Sequence, residues 1–284
     1  MVGPWATRAE LEALLLEDAP YGDLTTEALG LADLPGVMRF SARGDMVVAG
    51  LEIAVGLIEL VGAEVVRHAA DGDRVAAGAP LLEARGRAGG LHRAWKQAQT
   101  TVEILSGIAT ATREIVEAIA LAGRVVPVAG TRKTFPGARR FSAAAVRAGG
   151  GVAHRHGLSE TLLVFAEHRA FLPGLTLADM VARLRAAAPE KKTVIEVATP
   201  EAGLAAALAG FEVIQTEKFS PADVGRTVEA LRAAGSPALV AAAGGISPTN
   251  AAAYVAAGAD VIVTSWPYTA RPRDVAVRLG PPVP

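Results

Sequence analysis

The sequence predicts an α/β protein whose first third forms an antiparallel sheet with helices and whose remainder forms a parallel sheet. The first observation is that short β-branched segments alternate with helical segments from about residue 125 onward. Strictly alternating strands and helices give a parallel sheet with right-handed crossovers. The second is that 51% of the residues are hydrophobic, mostly Ala and Val, which suits helices packed on a sheet that is buried on both faces. Such a sheet closes into a barrel or stays open and doubly wound, and either form binds ligands at the carboxyl ends of its strands.

The first third of the chain contains two helix signals and two pairs of strand signals. Residues 8–17 have helical spacing, and residues 51–62 form a second helical segment. Two short strands between residues 36 and 50 flank Gly44-Asp45, which predicts a hairpin. The segments EVVRHA and APLLEARG predict two more strands joined by the turn at 71–78. A long helical segment then runs from 91 to 121, with an expected interruption at 106–110.

The rest of the chain predicts six strands and five helices. The strands lie at 125–130, 161–166, 193–198, 211–216, 238–245 and 260–265, and the helices at 138–148, 175–187, 200–209, 221–234 and 248–257.

Composition excludes several classes of function. A net charge of −1 gives no basic surface for nucleic acid or an anionic membrane. The absence of cysteine rules out disulfides, thiolate catalysis and cysteine metal sites. The N-terminus lacks the pattern of a signal peptide, and no apolar segment is long enough to span a bilayer. We therefore expect a cytoplasmic protein that binds neither nucleic acid nor membrane.

Two basic segments follow predicted strands. Arg132 and Lys133 come after the strand at 125–130, and His154 and Arg155 follow three consecutive glycines at 149–151. Guanidinium groups form paired hydrogen bonds with phosphate or carboxylate, and consecutive glycines let the backbone approach a ligand closely. The alternative for each segment is a solvated basic surface.

Acidic and glycine-rich segments follow later strands. Glu196 lies inside an apolar strand, and Glu217 ends the next one, which suggests carboxylates that hold ribose hydroxyls or Mg²⁺. The alternative is a buried salt bridge. Gly244-Gly245 leads to Ser247, the expected N-cap of a helix, and such a loop is typical of phosphate sites. Thr264 and Ser265 end the last strand.

These segments resemble the quinolinate phosphoribosyltransferase (nicotinate-nucleotide pyrophosphorylase) family along nearly the whole chain. The matching motifs, in order, are GDLTT at 22–26, DGD at 71–73, SGIAT at 106–110, TRKT with PG at 131–137, GGG with HR at 149–155, and GGI at 244–246. The resemblance implies an N-terminal α/β sandwich domain over 1–106, to which the tail 268–284 returns, and an α/β barrel domain over 107–267. It also implies transfer of phosphoribosyl from phosphoribosyl pyrophosphate (PRPP) with Mg²⁺, and a homodimer or higher oligomer.

The resemblance also assigns roles to individual residues. Arg132, His154 and Arg155 match positions that grip the acceptor's carboxylates, and Lys133 matches a PRPP contact. Glu196 and Glu217 match acidic positions near the ribose and the metal. The positions that match the phosphate site are Ala243, Gly244, Gly245, Thr264 and Ser265.

Four positions depart from the family pattern. Trp95-Lys96 replaces a Glu-Arg pair, so Lys96 stands for the arginine that reaches the partner's site. Phe165 replaces an active-site lysine, and Ala143 replaces another lysine. These substitutions resemble the ModD branch of the family, which is associated with molybdenum transport. We expect a phosphoribosyltransferase whose acceptor, an aromatic acid that includes Phe165 among its contacts, is less acidic than quinolinate. The alternatives are quinolinate phosphoribosyltransferase itself and a non-catalytic protein that binds a ligand or an oxyanion.

Overall fold

A computed structural model describes residues 6–282 of the chain. Ten α-helices lie within these residues: α1 (Arg8–Asp18), α2 (Leu24–Ala28), α3 (Leu51–Leu60), α4 (Ala88–Leu121), α5 (Arg139–Ala148), α6 (Ala166–Ala170), α7 (Leu177–Ala187), α8 (Pro200–Leu208), α9 (Pro221–Ala233) and α10 (Ala251–Ala256). The strands are β1 (Pro35–Ala42), β2 (Met46–Val47), β3 (Glu64–Arg67), β4 (Arg74–Val75), β5 (Pro80–Arg87), β6 (Val128–Gly130), β7 (Val152–Ala153), β8 (Leu162–Val164), β9 (Thr193–Val197), β10 (Val213–Glu217), β11 (Leu239–Ala243), β12 (Val261–Thr264) and β13 (Val275–Gly280).

The described residues form two compact units, of which the first is assembled from three separate segments. The first unit contains residues 6–113, 135–150 and 267–282, and the second contains 114–134 and 151–266. The boundary predicted between 106 and 107 lies within α4 and stays a prediction. The helix α5 belongs to the first unit because Ala145 and Val146 are buried in that unit's core.

The first unit is built on an antiparallel sheet with the strand order β13-β1-β5-β3. The predicted pairing of EVVRHA with APLLEARG is confirmed, since β3 pairs antiparallel with β5. The hairpin predicted at Gly44-Asp45 is wrong. One edge of β1 pairs with β5 and the other with β13. Since β1 has no free edge for β2, β2 pairs with β4 instead.

The helix α4 is continuous through residues 106–110, so the predicted interruption is also wrong. The hydroxyl of Thr110 donates to the Ser106 carbonyl within the helix and accepts the Val47 N–H. Ser106 accepts the Ala49 N–H in the same way, at 3.0 Å. Gly107 is needed for packing, because a Cβ there would lie 2.5 Å from the Arg271 carbonyl oxygen. The polar residues of this segment therefore attach the helix to its neighbours.

The second unit is a parallel sheet of seven strands with the order β7-β6-β12-β11-β10-β9-β8. The six predicted strands are present, and β7 is an addition that the sequence did not predict. The edges of the sheet are β7 and β8. Three following helices begin at hydroxyl N-caps, which are Thr176, Thr199 and Ser220. These caps fix where the chain turns after each strand and keep the connections short.

The two faces of this sheet differ in character. One face packs against the helices with large side chains such as Ile195, Ile214 and Ile262. The other carries a small cluster that includes Ala129, Ala241 and Ala243. We call the second one the inner face. The parallel sheet with its inner and helix-covered faces agrees with the predicted α/β barrel. No helix within residues 6–282 is long and apolar enough to cross a membrane.

Candidate functional site

The inner face carries polar side chains at its carboxyl end. Glu196 on β9 lies beside Gln215 on β10, and Glu217 on β10 lies beside Ala243 on β11. Since neighbours in register project to the same side and successive residues alternate, Glu196, Gln215 and Glu217 share the face of the alanine cluster. Small alanines beside them leave room for a ligand.

Glu196 is held by Gln215 and surrounded by other charges. Its Oε2 accepts a hydrogen bond of 2.7 Å from Gln215 Nε2. Burial raises the pKa of Glu196 above its ordinary value, and the charges of Glu217 and Glu167 raise it further, whereas the Gln215 hydrogen bond and Lys133 oppose the shift. Lys133 therefore lies within electrostatic range of this carboxylate. The Gln215 Oε1 is buried and accepts no hydrogen bond from the described residues.

The residues after β10 form a tight contact with the glycine loop after β11. Lys218 has a positive φ of 57°, donates its N–H to the Ala243 carbonyl at 2.9 Å, and places Nζ 3.2 Å from Glu217 Oε1. A Cβ on Gly244 would lie 2.9 Å from the Lys218 backbone nitrogen. Glycine is therefore required at 244, where φ is +92°, for the two loops to meet.

The glycine loop does not lead directly into a helix. Ser247 is not an N-cap, because its N–H donates to Asn250 Oδ1 and α10 begins only at Ala251. The Asn250 side chain also donates to the Gly245 carbonyl at 3.0 Å. Gly245 is exposed, and a Cβ added to it would have no described atom within 4 Å. A phosphate at this loop would meet backbone and not the end of a helix.

Thr264 holds the end of β12 in place. Its hydroxyl donates to the Ile246 carbonyl at 2.7 Å and accepts the Trp266 N–H at 3.0 Å. The side chain is buried, so these bonds use most of its hydrogen-bonding capacity. Ser265 follows in a half-buried position. Their predicted contact with phosphate stays a prediction, and the contacts of Thr264 indicate that it shapes the glycine loop.

Two guanidinium groups lie near each other after β6 and β7. Burial lowers the pKa of Arg155, and the charge of Arg132 lowers it further. The Nε of Arg132 is buried and donates to no acceptor among residues 6–282. Burial lowers the pKa of His154 as well, with a smaller effect from Arg155, which favours a neutral imidazole. Two neighbouring cations that are partly removed from water favour an anionic ligand.

Phe165 and His168 form an aromatic wall beside these cations. The guanidinium carbon of Arg155 lies 5.6 Å from the centre of the Phe165 ring. The rings of Phe165 and His168 are 5.8 Å apart at an angle of 20°. His168 Nδ1 accepts the Phe165 N–H at 2.9 Å, so a neutral His168 carries its proton on Nε2.

A cavity of about 550 Å³ joins these groups. Arg132 and Arg155 line it from the β6 and β7 side, and Thr161, Phe165 and His168 line it from the β8 side. Since β7 and β8 are opposite edges of the sheet, a shared cavity means that the sheet curves strongly. We call this the edge cavity.

Lys96 lies on α4 in the first unit and contacts its own helix. Its Nζ is 4.6 Å from the centre of the Trp95 ring and donates to Gln99 Oε1 at 3.2 Å. Trp95 Nε1 donates to the same oxygen at 3.0 Å. The side chain is exposed. Its predicted contact with a partner's site stays a prediction.

The predicted metal ligands form a pair. No group of three or more His, Asp or Glu side chains in the described chain is arranged to hold a metal ion. Mg²⁺ commonly binds one or two carboxylates together with substrate phosphates and water. The pair Glu196 and Glu217 fits that pattern and does not form a complete protein cage.

Sequence reasoning missed several residues of this region as site residues. Gln215 supports Glu196, Glu167 adds negative charge, and His168 and Thr161 line the edge cavity. Gln215 could have been predicted, because alternate residues of a strand project to the same face and Gln215 lies two residues before Glu217 on β10. No local pattern marks Thr161, whose position depends on where the sheet ends.

Comparisons with known proteins agree along nearly the whole chain. Two family models match, "Quinolinate phosphoribosyl transferase, N-terminal domain" at residues 23–106 and its C-terminal counterpart at 108–278. A Rhodobacter capsulatus protein named "Putative pyrophosphorylase ModD" is 48% identical over 245 residues, which are 85% of this chain and 93% of that protein. The carboxylating nicotinate-nucleotide pyrophosphorylase of Mycobacterium leprae is 33% identical over 280 residues, 96% of this chain and 97% of that protein.

A solved structure shows the same fold. The crystal structure of NadC from Streptococcus pyogenes superposes with a TM-score of 0.88 at 27% identity, over 99% of this chain and 98% of that chain. The resemblance drawn from the motifs is confirmed, including its similarity to ModD proteins. The chain therefore belongs to the quinolinate phosphoribosyltransferase family, an enzyme family of the pentosyltransferase type.

Proposed function

We propose that the protein transfers the phosphoribosyl group of PRPP to an aromatic acid acceptor other than quinolinate. The observation that carries this proposal is the arrangement of charges on one sheet. A carboxylate pair, Glu196 and Glu217, lies on the inner face at β9 and β10. A guanidinium pair, Arg132 and Arg155, follows β6 and β7, in the other half of the strand order. Phosphoribosyl transfer to an aromatic acid needs carboxylates near the donor's ribose and cations at the acceptor's carboxylate.

The residues suggest how the reaction proceeds. The acceptor's ring nitrogen forms a bond to the ribose C1, and the bond from C1 to the pyrophosphate oxygen breaks, with the electron pair leaving on pyrophosphate. Positive charge develops on the ribose, which Glu196 and Glu217 stabilise. Lys133 and the backbone at Gly244-Gly245 bind the departing phosphates. Mg²⁺ held by the two carboxylates and substrate oxygens would neutralise part of the pyrophosphate charge.

Phe165 supports an acceptor less acidic than quinolinate. It provides an apolar ring where the family pattern has a lysine, and it contacts Arg155. A lost charged hydrogen bond costs about 1.5–3 kcal/mol, or roughly ten- to a hundredfold in affinity. The half-buried His154 adds no charge at neutral pH, because burial lowers its pKa. Quinolinate phosphoribosyltransferase activity remains the second candidate, since Arg132 and Arg155 are both present.

Titration of the protein with PRPP in the presence of Mg²⁺ tests the donor site. We expect saturable binding that is lost in Lys133→Ala and kept in Lys192→Ala, a matched change at an exposed lysine of the same unit. Absence of PRPP binding under these conditions would refute the proposal and favour a non-catalytic ligand-binding protein. A steady-state assay with quinolinate separates the two catalytic candidates.

Three further expectations accompany this function. We expect a homodimer or higher oligomer in which Lys96 reaches the partner's site, so mixed dimers that carry Lys96→Ala in one subunit should lose activity in the other. We expect a cytoplasmic location, which cell fractionation tests. The similarity to ModD proteins supports an association with molybdenum transport, which predicts altered molybdate accumulation when the gene is disrupted.

A further inference from the structure

The edge cavity extends well beyond its cationic end. Past Arg132 and Arg155 it is lined by Leu162, Leu163 and Val164 of β8 and by Leu175, Met180 and Leu184 at α7. We call these six side chains the leucine wall. A volume of about 550 Å³ falls within the range of small-molecule sites, roughly 300–1,000 Å³. Binding an anion at the two cations would not require this apolar surface. It therefore suits an apolar part of the ligand.

The apolar surface exists because β8 is an edge strand. Leu163 projects to the inner face, beside Val194 of β9, whereas Leu162 and Val164 project to the opposite face. Both edges of a central strand are hydrogen-bonded to neighbouring strands, so no cavity can pass from one of its faces to the other. At the edge, the cavity passes around β8 from the inner face to α7. The leucine wall is thus continuous with the anion-binding end.

Unpartnered polar atoms also point to a ligand in this cavity. The described residues carry seven buried side-chain nitrogen or oxygen atoms without a hydrogen-bond partner, and three of them line the edge cavity: Arg132 Nε, Thr161 Oγ1 and Arg169 Nε. A buried donor without an acceptor costs free energy, so their grouping indicates a ligand that carries acceptor oxygens. Arg183 also lines the cavity on the α7 side.

We propose that the acceptor is a fused-ring heteroaromatic monocarboxylate, bound with its carboxylate at Arg132 and Arg155 and its second ring on the leucine wall. This inference rests on the phosphoribosyl transfer proposed above. The nearly parallel rings of Phe165 and His168 suit a planar ligand. The six side chains of the leucine wall are all apolar, so a fused benzene ring would gain contact there.

The test uses two compounds that differ by one ring. Nicotinate and quinoline-3-carboxylate share a pyridine nitrogen and one carboxylate, and only the second has a fused benzene ring. We expect quinoline-3-carboxylate to bind the unmodified protein about ten- to a hundredfold more tightly in calorimetric titration. Quinolinate, with two carboxylates, should bind more weakly than quinoline-3-carboxylate.

Substitution of the leucine wall provides the second arm. Leu184→Ala should remove most of the preference and leave the affinity for nicotinate unchanged. Leu177→Ala is the matched control, because Leu177 is partly buried on the same helix but does not line the cavity. Thermal melts of both variants identify a loss of folding, and the comparison on the unmodified protein does not depend on either variant.

The outcomes separate this inference from the proposed function. Equal affinity for the two compounds on the unmodified protein overturns the inference, even if PRPP binds. A Leu184→Ala variant that changes only the oligomeric state also overturns it, since a second copy of the chain would then cover the leucine wall. Failure of PRPP to bind, with the ring preference intact, refutes phosphoribosyl transfer and leaves the fused-ring site.

Discussion

The contact between Gly244 and Lys218 predicts that two adjacent glycines differ sharply in their tolerance of a methyl group. Both have positive φ, +92° at Gly244 and +70° at Gly245. A Cβ on Gly244 would lie 2.7 Å from Lys218 Cγ and 2.9 Å from the Lys218 nitrogen. A Cβ on Gly245 would have no described atom within 4 Å. The variant Gly245→Ala therefore controls for backbone strain.

The expected magnitudes follow from these distances. Alanine in the left-handed region costs about 1–2 kcal/mol at either position. At Gly244 the overlap with backbone adds about 1–3 kcal/mol, because the backbone of Lys218 cannot move without breaking its hydrogen bond to Ala243. The difference between the variants should lower the melting temperature of Gly244→Ala by roughly 2 to 12 °C relative to Gly245→Ala.

Calorimetry or circular dichroism at a fixed pH measures this difference, and the rate of phosphoribosyl transfer provides a second readout. A displaced Lys218 also moves Glu217, and a shift of about 1 Å in a reacting group costs about a hundredfold in rate. Equal melting temperatures for the two variants would refute the reasoning, since they would mean that the loops after β10 and β11 do not meet as described.

Three other substitutions test the site and its support. Glu196→Gln should raise the melting temperature at pH 8, because burial raises the pKa of Glu196 and its ionised form therefore destabilises the folded state. The same variant should lower turnover about 10²–10³-fold. A lower melting temperature would contradict this. Thr264→Val should lower the free energy of unfolding by about 1–3 kcal/mol, because it removes the hydrogen bond to Ile246. The control Thr100→Val, at an exposed helix position, should change that free energy by less than about 0.5 kcal/mol. Burial raises the pKa of Asp71 from 3.8 to about 6. The protein should therefore lose on the order of 2 kcal/mol of stability as the pH rises from about 4 to 6. Asp71→Asn should abolish that loss when unfolding is measured as a function of pH.

The sequence predicted local elements well and long-range pairings poorly. The helices and the six parallel strands depend on periodicity, which is visible within a short window. The partner of β1 is different, because Val37 pairs with Gly280 at the far end of the chain. The turn signal at Gly44-Asp45 is real but cannot reveal that both edges of β1 are occupied. The interruption predicted in α4 fails for a similar reason, since Gly107 is explained only by its contact with Arg271.

In the candidate site, too, the sequence predicted residues at strand ends and missed roles that depend on long-range contacts. Arg132, Glu196 and Gly244 follow from the rule that ligands bind where parallel strands end. The role of Thr264 as a support depends on its contact with Ile246, which no spacing in the sequence indicates. The leucine wall depends on β8 being an edge strand, and β8 is an edge only because of the order in which the strands assemble.

The three-segment construction of the first unit has a consequence for synthesis on the ribosome. Ala42 ends β1 and leaves the ribosome about 240 residues before Gly280, which is the last residue of β13 in the same sheet. At a typical elongation rate of about 5–20 residues per second, β1 waits roughly 10 to 50 seconds for its second partner. During that interval one edge of β1 has unpaired backbone groups, as in strands prone to intermolecular association. The second unit, with all its strands between residues 128 and 264, is complete first. The sheet of the first unit is therefore completed only after β13 has emerged.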